Sequence, residues 1–250
     1  MIDIHSHILW GIDDGARDRE TSVAMLKLAA ETGTTDIVAT PHSDMQFKYD
    51  AELVTQLIAE LQGEMAGAIK IHKGCDFHMS FENVQACLEN PTKFTINGLG
   101  YLMVEFADTF IPPSTEEIFR QFSARGITPV ITHPERNPVL QGSTERLQRW
   151  IESGCLVQVT AQSVTDRFGK AAQQAAWKWL KAGLVHVLAS DAHDTEHRPP
   201  RLDLARDIMT SEMGADVARM LLEDNPGAVI NGERVWMQVP VVKKKKWFFF

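Results

Sequence analysis

His5 and His7 stand one residue apart at the end of the apolar run Met1-Ile2-Asp3-Ile4. Side chains two apart on a strand project from the same face, so this pair makes half of a metal site. The same residue types recur wherever a later apolar run stops. His42 follows residues 36–40, Asp76 ends 69–76, Glu105 lies near the end of 101–106, His133 closes 128–133, and Asp191 and His193 end 184–191. Asp14 joins them from the loop between Gly11 and Gly15. Imidazole and carboxylate donors together suit zinc, manganese or iron. Five histidines and four acids exceed the needs of one tetrahedral ion, so two or three ions are implied.

Residues so far apart in sequence meet only if their elements bring them to one place. Seven strand-like runs, at 1–7, 36–40, 69–76, 101–106, 128–133, 156–160 and 184–191, alternate with helical stretches. Asp18 and Asp50 are placed to cap two of those helices, and Ser114-x-x-Glu117 reads as a capping box for a third. Apolar strands alternating with helices indicate an α/β protein with a parallel sheet. In a closed barrel every carboxyl end opens onto one rim, whereas the edges of an open sheet lie too far from its crevice. The expectation is therefore a seven-stranded, TIM-like β/α barrel formed by residues 1–235 as a single domain. Only the sixth strand, 156–160, offers no evident ligand.

Composition narrows the function. A net charge of -8 on 250 residues argues against a nucleic-acid binder. Cys75, Cys87 and Cys155 follow no paired spacing, which favours a reducing, cytoplasmic setting over a disulfide scaffold. No signal peptide and no membrane-spanning run is read. A cysteine-nucleophile phosphatase needs arginine six positions past its thiol. Here those positions hold Phe81, Lys93 and Ala161, so hydrolysis through a cysteinyl intermediate is excluded.

Four segments carry a resemblance: Asp3-Ile-His-Ser-His7, Thr40-Pro-His42, His133-Pro-Glu-Arg-Asn137 and Ser190-Asp-Ala-His193. Together they resemble the motifs of the polymerase-and-histidinol-phosphatase (PHP) superfamily. Asp13-Asp14-Gly15, the His133 segment and Arg198 resemble, within it, the tyrosine-protein phosphatases of bacterial capsule and exopolysaccharide loci, the CpsB/CapC family. The likeness runs from residue 1 to about 230. It implies a distorted β/α barrel with up to three divalent ions, commonly manganese with zinc, iron, cobalt or magnesium as alternatives. It also implies hydrolysis of phosphotyrosine on a partner kinase of polysaccharide export. Carried over by position, it nominates His5, His7, Asp14, His42, Asp76, Glu105, His133, Asp191 and His193 as metal ligands and Arg136 and Arg198 as phosphate clamps. The family usually has glutamate where this chain has Asp76. Two alternatives stay open: a small-molecule phosphomonoesterase of the histidinol-phosphate type, and a non-catalytic, metal-bound regulatory subunit. His72, His78, His186 and His197 are left outside the set, with His78 the one placed to support a ligand.

The tail 236–250 sets Lys243 to Lys246 beside Trp247 and three phenylalanines in a chain otherwise acidic. Lysines near an anionic leaflet contribute about 1 kcal/mol each, and tryptophan favours the interface. This fits a peripheral contact with the inner face of the membrane, as it would docking on a membrane kinase. Deleting residues 243–250 is expected to leave hydrolysis of a small aryl phosphate unchanged and to weaken co-sedimentation with anionic liposomes, most at low salt. Equal sedimentation of truncated and full-length protein would remove the targeting role.

Overall fold

The computed structural model describes residues 1–235; the expected tail lies outside the described residues. Nine strands are found among them: β1 (Ile2–Ser6), β2 (Asp36–Ala39), β3 (His42–Ser43), β4 (Lys70–Lys73), β5 (Asp76–His78), β6 (Tyr101–Glu105), β7 (Thr128–Ile131), β8 (Leu156–Thr160) and β9 (Val187–Ala189). They form a three-stranded sheet, β1-β2-β4, and a six-stranded sheet, β3-β5-β6-β7-β8-β9. Every pairing is parallel. The six-stranded sheet curls until the end of β9 meets β1. There Ser6 bridges Ala192, and the amides of Asp191 and His7 donate to the carbonyls of His5 and Ala192, each at 2.8 Å. The result is an α/β barrel.

The run expected at 69–76 is divided into β4 and β5, and the run expected at 36–40 is followed at once by a short strand that was not expected, β3. Pro41, which has no N–H to give to a ladder, separates β2 from β3. Between β4 and β5, Gly74 lies so close to β2 that a Cβ there would stand 2.8 Å from Val38 Cγ1 and 3.0 Å from Thr40 Cγ2. Only glycine tolerates that approach.

The barrel interior is apolar below and polar above. Ile4, Val38, Met103, Val130, Leu156 and Val187 form one buried cluster, to which Val229 and Ile230 of the last helix (Asn225–Asn231) are added. His5, next in sequence to Ile4, also faces inward. Strict alternation forbids that, but the β1–β2 register shifts between Asp3 and Ser6, where β1 spends one residue more than β2. This bulge re-aims the end of β1.

Outside the strands, amphipathic helices supply a second apolar layer. Trp150 and Trp179 are fully buried there, and Trp150 stacks on Phe106 at 5.3 Å. Asp18 and Asp50 cap their helices as expected, Asp18 accepting from the Thr21 amide and Asp50 from those of Glu52 and Leu53. The expected Ser114 capping box does not form. Ser114 has helical backbone angles, and Glu117 binds Arg120 instead. The three cysteines are free and buried, and burial pushes the Cys87 and Cys155 thiols up to about 12. Among the described residues no helix is long and apolar enough to cross a membrane.

His186 precedes β9 and is buried, its Nδ1 accepting the Val157 amide at 3.0 Å. Burial lowers its pKa to about 4. A base depressed in the folded state favours folding fully above its unfolded pKa, about 6.5, and loses that contribution as pH falls through about 4. The loss amounts to on the order of 3 kcal/mol. Thermal melts of the native protein and His186→Gln between pH 7 and 4 are expected to show a shallower acid decline for the variant. Parallel declines would assign the acid sensitivity to other groups.

Candidate active site

The upper end of the barrel gathers the residues nominated from sequence. His5 Nε2 lies 3.4 Å from Asp76 Oδ2, 3.4 Å from Asp191 Oδ1 and 3.3 Å from His7 Nε2. His42 presents Nδ1 to Asp76 Oδ2 at 3.4 Å and Nε2 to Asp14 Oδ1 at 3.4 Å. His193 Nε2 approaches Asp14 Oδ1 at 3.5 Å, and His133 Nε2 approaches Glu105 Oε1 at 3.5 Å. These separations exceed good hydrogen bonds. They match the edges between donor atoms that share an ion at about 2.1 Å, roughly 3.0 to 3.4 Å depending on coordination number.

Three groups of donors could each hold a cation: His7, Asp14, His42 and His193; His5, His7 and Asp76; and His42, Asp76 and Glu105. His7, His42 and Asp76 each belong to two of them, so the groups adjoin. Asp76 is fully buried, yet neither of its carboxylate oxygens has a hydrogen-bond partner, nor does His42 Nδ1. A buried carboxylate in that condition is costly unless a cation compensates it. The residues present therefore fit divalent metal. His133 and Asp191 stand just outside the three groups while touching their members.

Burial opposes charge throughout, and neighbouring charges decide the outcome. Asp13 and then Asp191 outweigh it at His7, whose pKa is held well above the usual imidazole value. At His193 burial wins, helped by His7, and the pKa falls to about 4. His5, His7 and the two arginines hold the buried Asp191 carboxyl well below the usual range.

Both nominated arginines converge on Asp191. Arg136 Nη1 and Arg198 Nη2 each donate to its Oδ2, the latter at 2.5 Å, leaving Oδ1 to His5 and His7. Phe168 lies beneath both guanidiniums, 4.4 Å from that of Arg136 and 5.8 Å from that of Arg198. A cavity of about 380 Å³ opens beside Arg136 and Phe168, with Glu105, His133 and Arg136 among its polar lining and Phe106, Leu140 and Phe168 among its apolar lining.

Several contributors were not nominated from sequence. Asp13 Oδ2 accepts from His7 Nδ1 at 2.7 Å, which fixes the ring so that Nε2 faces the cluster. Gly15 makes that possible, since a Cβ there would overlap the His7 carbonyl at 2.1 Å. Gln158 of β8, the strand without an evident ligand, accepts from His5 Nδ1 at 3.0 Å through Oε1. Buried Glu135 accepts from the Thr160 amide and the Ser163 hydroxyl, pinning the segment that carries His133 and Arg136. His78 stands 3.7 Å from Glu105.

Comparison with known proteins bears on this arrangement. The family of capsular polysaccharide synthesis proteins CpsB/CapC matches residues 1–231. The chain belongs to that family. It is 34% identical over 242 residues to the tyrosine-protein phosphatase CpsB of Streptococcus pneumoniae, covering 92% of this chain and 98% of that protein. It is 31% identical over 255 residues to the tyrosine-protein phosphatase YwqE of Bacillus subtilis, covering the whole of both. A crystal structure from work on YwqE of Bacillus subtilis and CpsB of Streptococcus pneumoniae, described as metal-dependent tyrosine phosphatases, superposes with a TM-score of 0.90 at 29% identity. It covers 96% of this chain and 98% of that one. A lactonase from Listeria monocytogenes, at 14% identity and a TM-score of 0.62, shares the fold alone.

The geometry makes Asp76 and Asp13 separable. Asp76→Ala is expected to lose bound divalent metal, counted per chain after dialysis, while Asp76→Glu retains it. Asp13→Ala is expected to weaken metal affinity about 10- to 100-fold by freeing the His7 ring. Full metal content in Asp76→Ala would refute the assignment.

Proposed function

We propose that this chain is a metal-dependent protein-tyrosine phosphatase that hydrolyses phosphotyrosine on a tyrosine kinase of capsular or exopolysaccharide export. The observation that carries this reading is the cavity beside the donor cluster. Its lining joins Glu105, His133 and Arg136 to the aromatic rings of Phe106 and Phe168. That mixture suits a phosphoryl group carried on an aromatic ring. Family membership supports the same reaction.

His5, His7, Asp14, His42, Asp76, Glu105, His133, Asp191 and His193 would hold the ions, two or three in number. Manganese is the first choice, and zinc, iron, cobalt and magnesium are alternatives for this donor set. Such ions would acidify water to a nucleophile near neutral pH and offset phosphoryl charge. Asp76, common to two donor groups and one methylene shorter than glutamate, would contribute to both. Asp13 and Gln158 orient the imidazoles of His7 and His5. Arg136 and Arg198 clamp the phosphoryl oxygens, their planar forks suiting paired oxygens. Arg198 Nε, buried and without a partner, is a donor already free for one of them. Residues 1–235 constitute one phosphatase domain, in which the successive strands β2–β3 and β4–β5 each count as one stave of a seven-stave barrel. Three free, buried cysteines support a cytoplasmic setting.

Turnover of a phosphotyrosine peptide is expected to cease with chelator and return with manganese. Chelation is also expected to lower the melting temperature, because metal bound only by the native state stabilises it. Arg198→Ala should keep its metal and lose about 10- to 1,000-fold in kcat/KM, as removal of a charge-assisted clamp worth about 1.5 to 4 kcal/mol would. Chelator-resistant turnover, or unaltered Arg198→Ala kinetics, would overturn the respective assignment.

A further inference from the structure

Six large hydrophobic side chains are exposed among the described residues, and three of them share one rim. Met45 is 97% exposed, Phe81 75% and Phe110 58%. They lie two, three and five residues past the ends of β3, β5 and β6. Those strands are consecutive hydrogen-bonded parallel neighbours. His42 opens β3, Asp76 opens β5 and Glu105 ends β6, so the loops that leave these three strands border the site.

The loops that present them are tied down. Asp44 Oδ1 accepts the amides of Gln46 and Phe47 at 2.7 Å, and the Asp44 amide donates to the Phe47 carbonyl, closing a tight turn with Met45 at its tip. Phe81 opens the helix Phe81–Glu89, capped by Ser80. Asn83 of that helix donates to the carbonyls of Ser43 and His78, locking the Met45 and Phe81 loops together. Ala107 and Phe110 are bridged, and Asn137 donates to the Ala107 carbonyl. Three apolar side chains fixed in water on built loops mark a contact surface. The surface continues into the catalytic cavity, because Phe106 and Asp108 line that cavity on the loop leading to Phe110.

We propose that Met45, Phe81 and Phe110 form a docking strip for the polypeptide flanking the phosphotyrosine, selecting substrates with apolar side chains beside the modified residue. The inference rests on the phosphatase reading. Neighbouring strands lie about 4.8 Å apart, so three strand ends span roughly 10 Å, the reach of about three extended residues. Such a strip adds affinity for a peptide and none for a small ester.

The test compares p-nitrophenyl phosphate with two phosphotyrosine peptides, one carrying leucine and phenylalanine flanks and the other serine and glycine. The native protein is expected to favour the apolar peptide at least about tenfold in kcat/KM. In Met45→Ser/Phe81→Ser/Phe110→Ser that ratio should fall to near one, with p-nitrophenyl phosphate turnover unchanged. A ratio near one in the native protein needs no variant to refute the strip. A preference that survives in the triple variant also refutes it, as does a patch whose loss only splits a native dimer or only releases the protein from liposomes. Absence of turnover on all three substrates would instead refute the phosphatase reading beneath it.

Discussion

Buried charge that has to be balanced is the constraint on which the upper barrel depends. Asp76 and Asp191 are fully or almost fully buried carboxylates set among five imidazoles. An uncompensated charge at such depth costs several kcal/mol. The surrounding chain is arranged to meet that cost. Two loops send arginines to Asp191, Asp13 reaches under His7, and the donors of three strands face Asp76 across gaps suited to a cation. Backbone strain is accepted in return. His133 and Asp191 have positive φ, 31° and 52°, a conformation costing about 1–3 kcal/mol for residues with a Cβ. Because that is less than an uncompensated buried charge, the geometry that satisfies the charges prevails.

Much of this fold was legible because a parallel barrel buries both faces of its strands. Such strands read as continuous apolar runs, and all seven expected runs contain strand. What the runs concealed was continuity. Pro41 marked the end of a strand, yet pairing resumes at once with His42, and Gly74 divides another run by pressing on Val38. Ser114-x-x-Glu117 had the right letters for a capping box, but the backbone at Ser114 is helical and the glutamate goes to Arg120. Local capping chemistry lost to a nearer ion pair.

The site divides along the same line. Ligand types at strand ends were visible because metal donors are rare in apolar runs, whereas Arg136 and Arg198 entered through the family resemblance. Less visible were the side chains that aim the donors. Asp13 entered only as part of the Asp13-Asp14-Gly15 motif, with no role of its own, and the close packing of Gly15 on His7 brings its carboxylate to the ring. Gln158 did leave a signal, an amide alone in Leu-Val-Gln-Val-Thr, a polar group that a buried strand must pair. Phe168 left none, since its value lies in where two arginines from other segments come to rest. The bulge in β1 was equally silent. Alternation correctly put His5 and His7 on one face but could not show that Ile4 would share the interior with them.

Asp191 joins the two halves of the site through one carboxylate. Oδ1 faces the imidazoles of His5 and His7 while Oδ2 receives both guanidiniums, so donor cluster and arginines share a group that cannot move for one without moving for the other. The arginines are thereby held in place, with Phe168 beneath them and the ordering entropy of two long side chains already met. That same residue adopts a left-handed backbone conformation, so the strain sits at the one side chain that serves both sides of a buried, highly charged site.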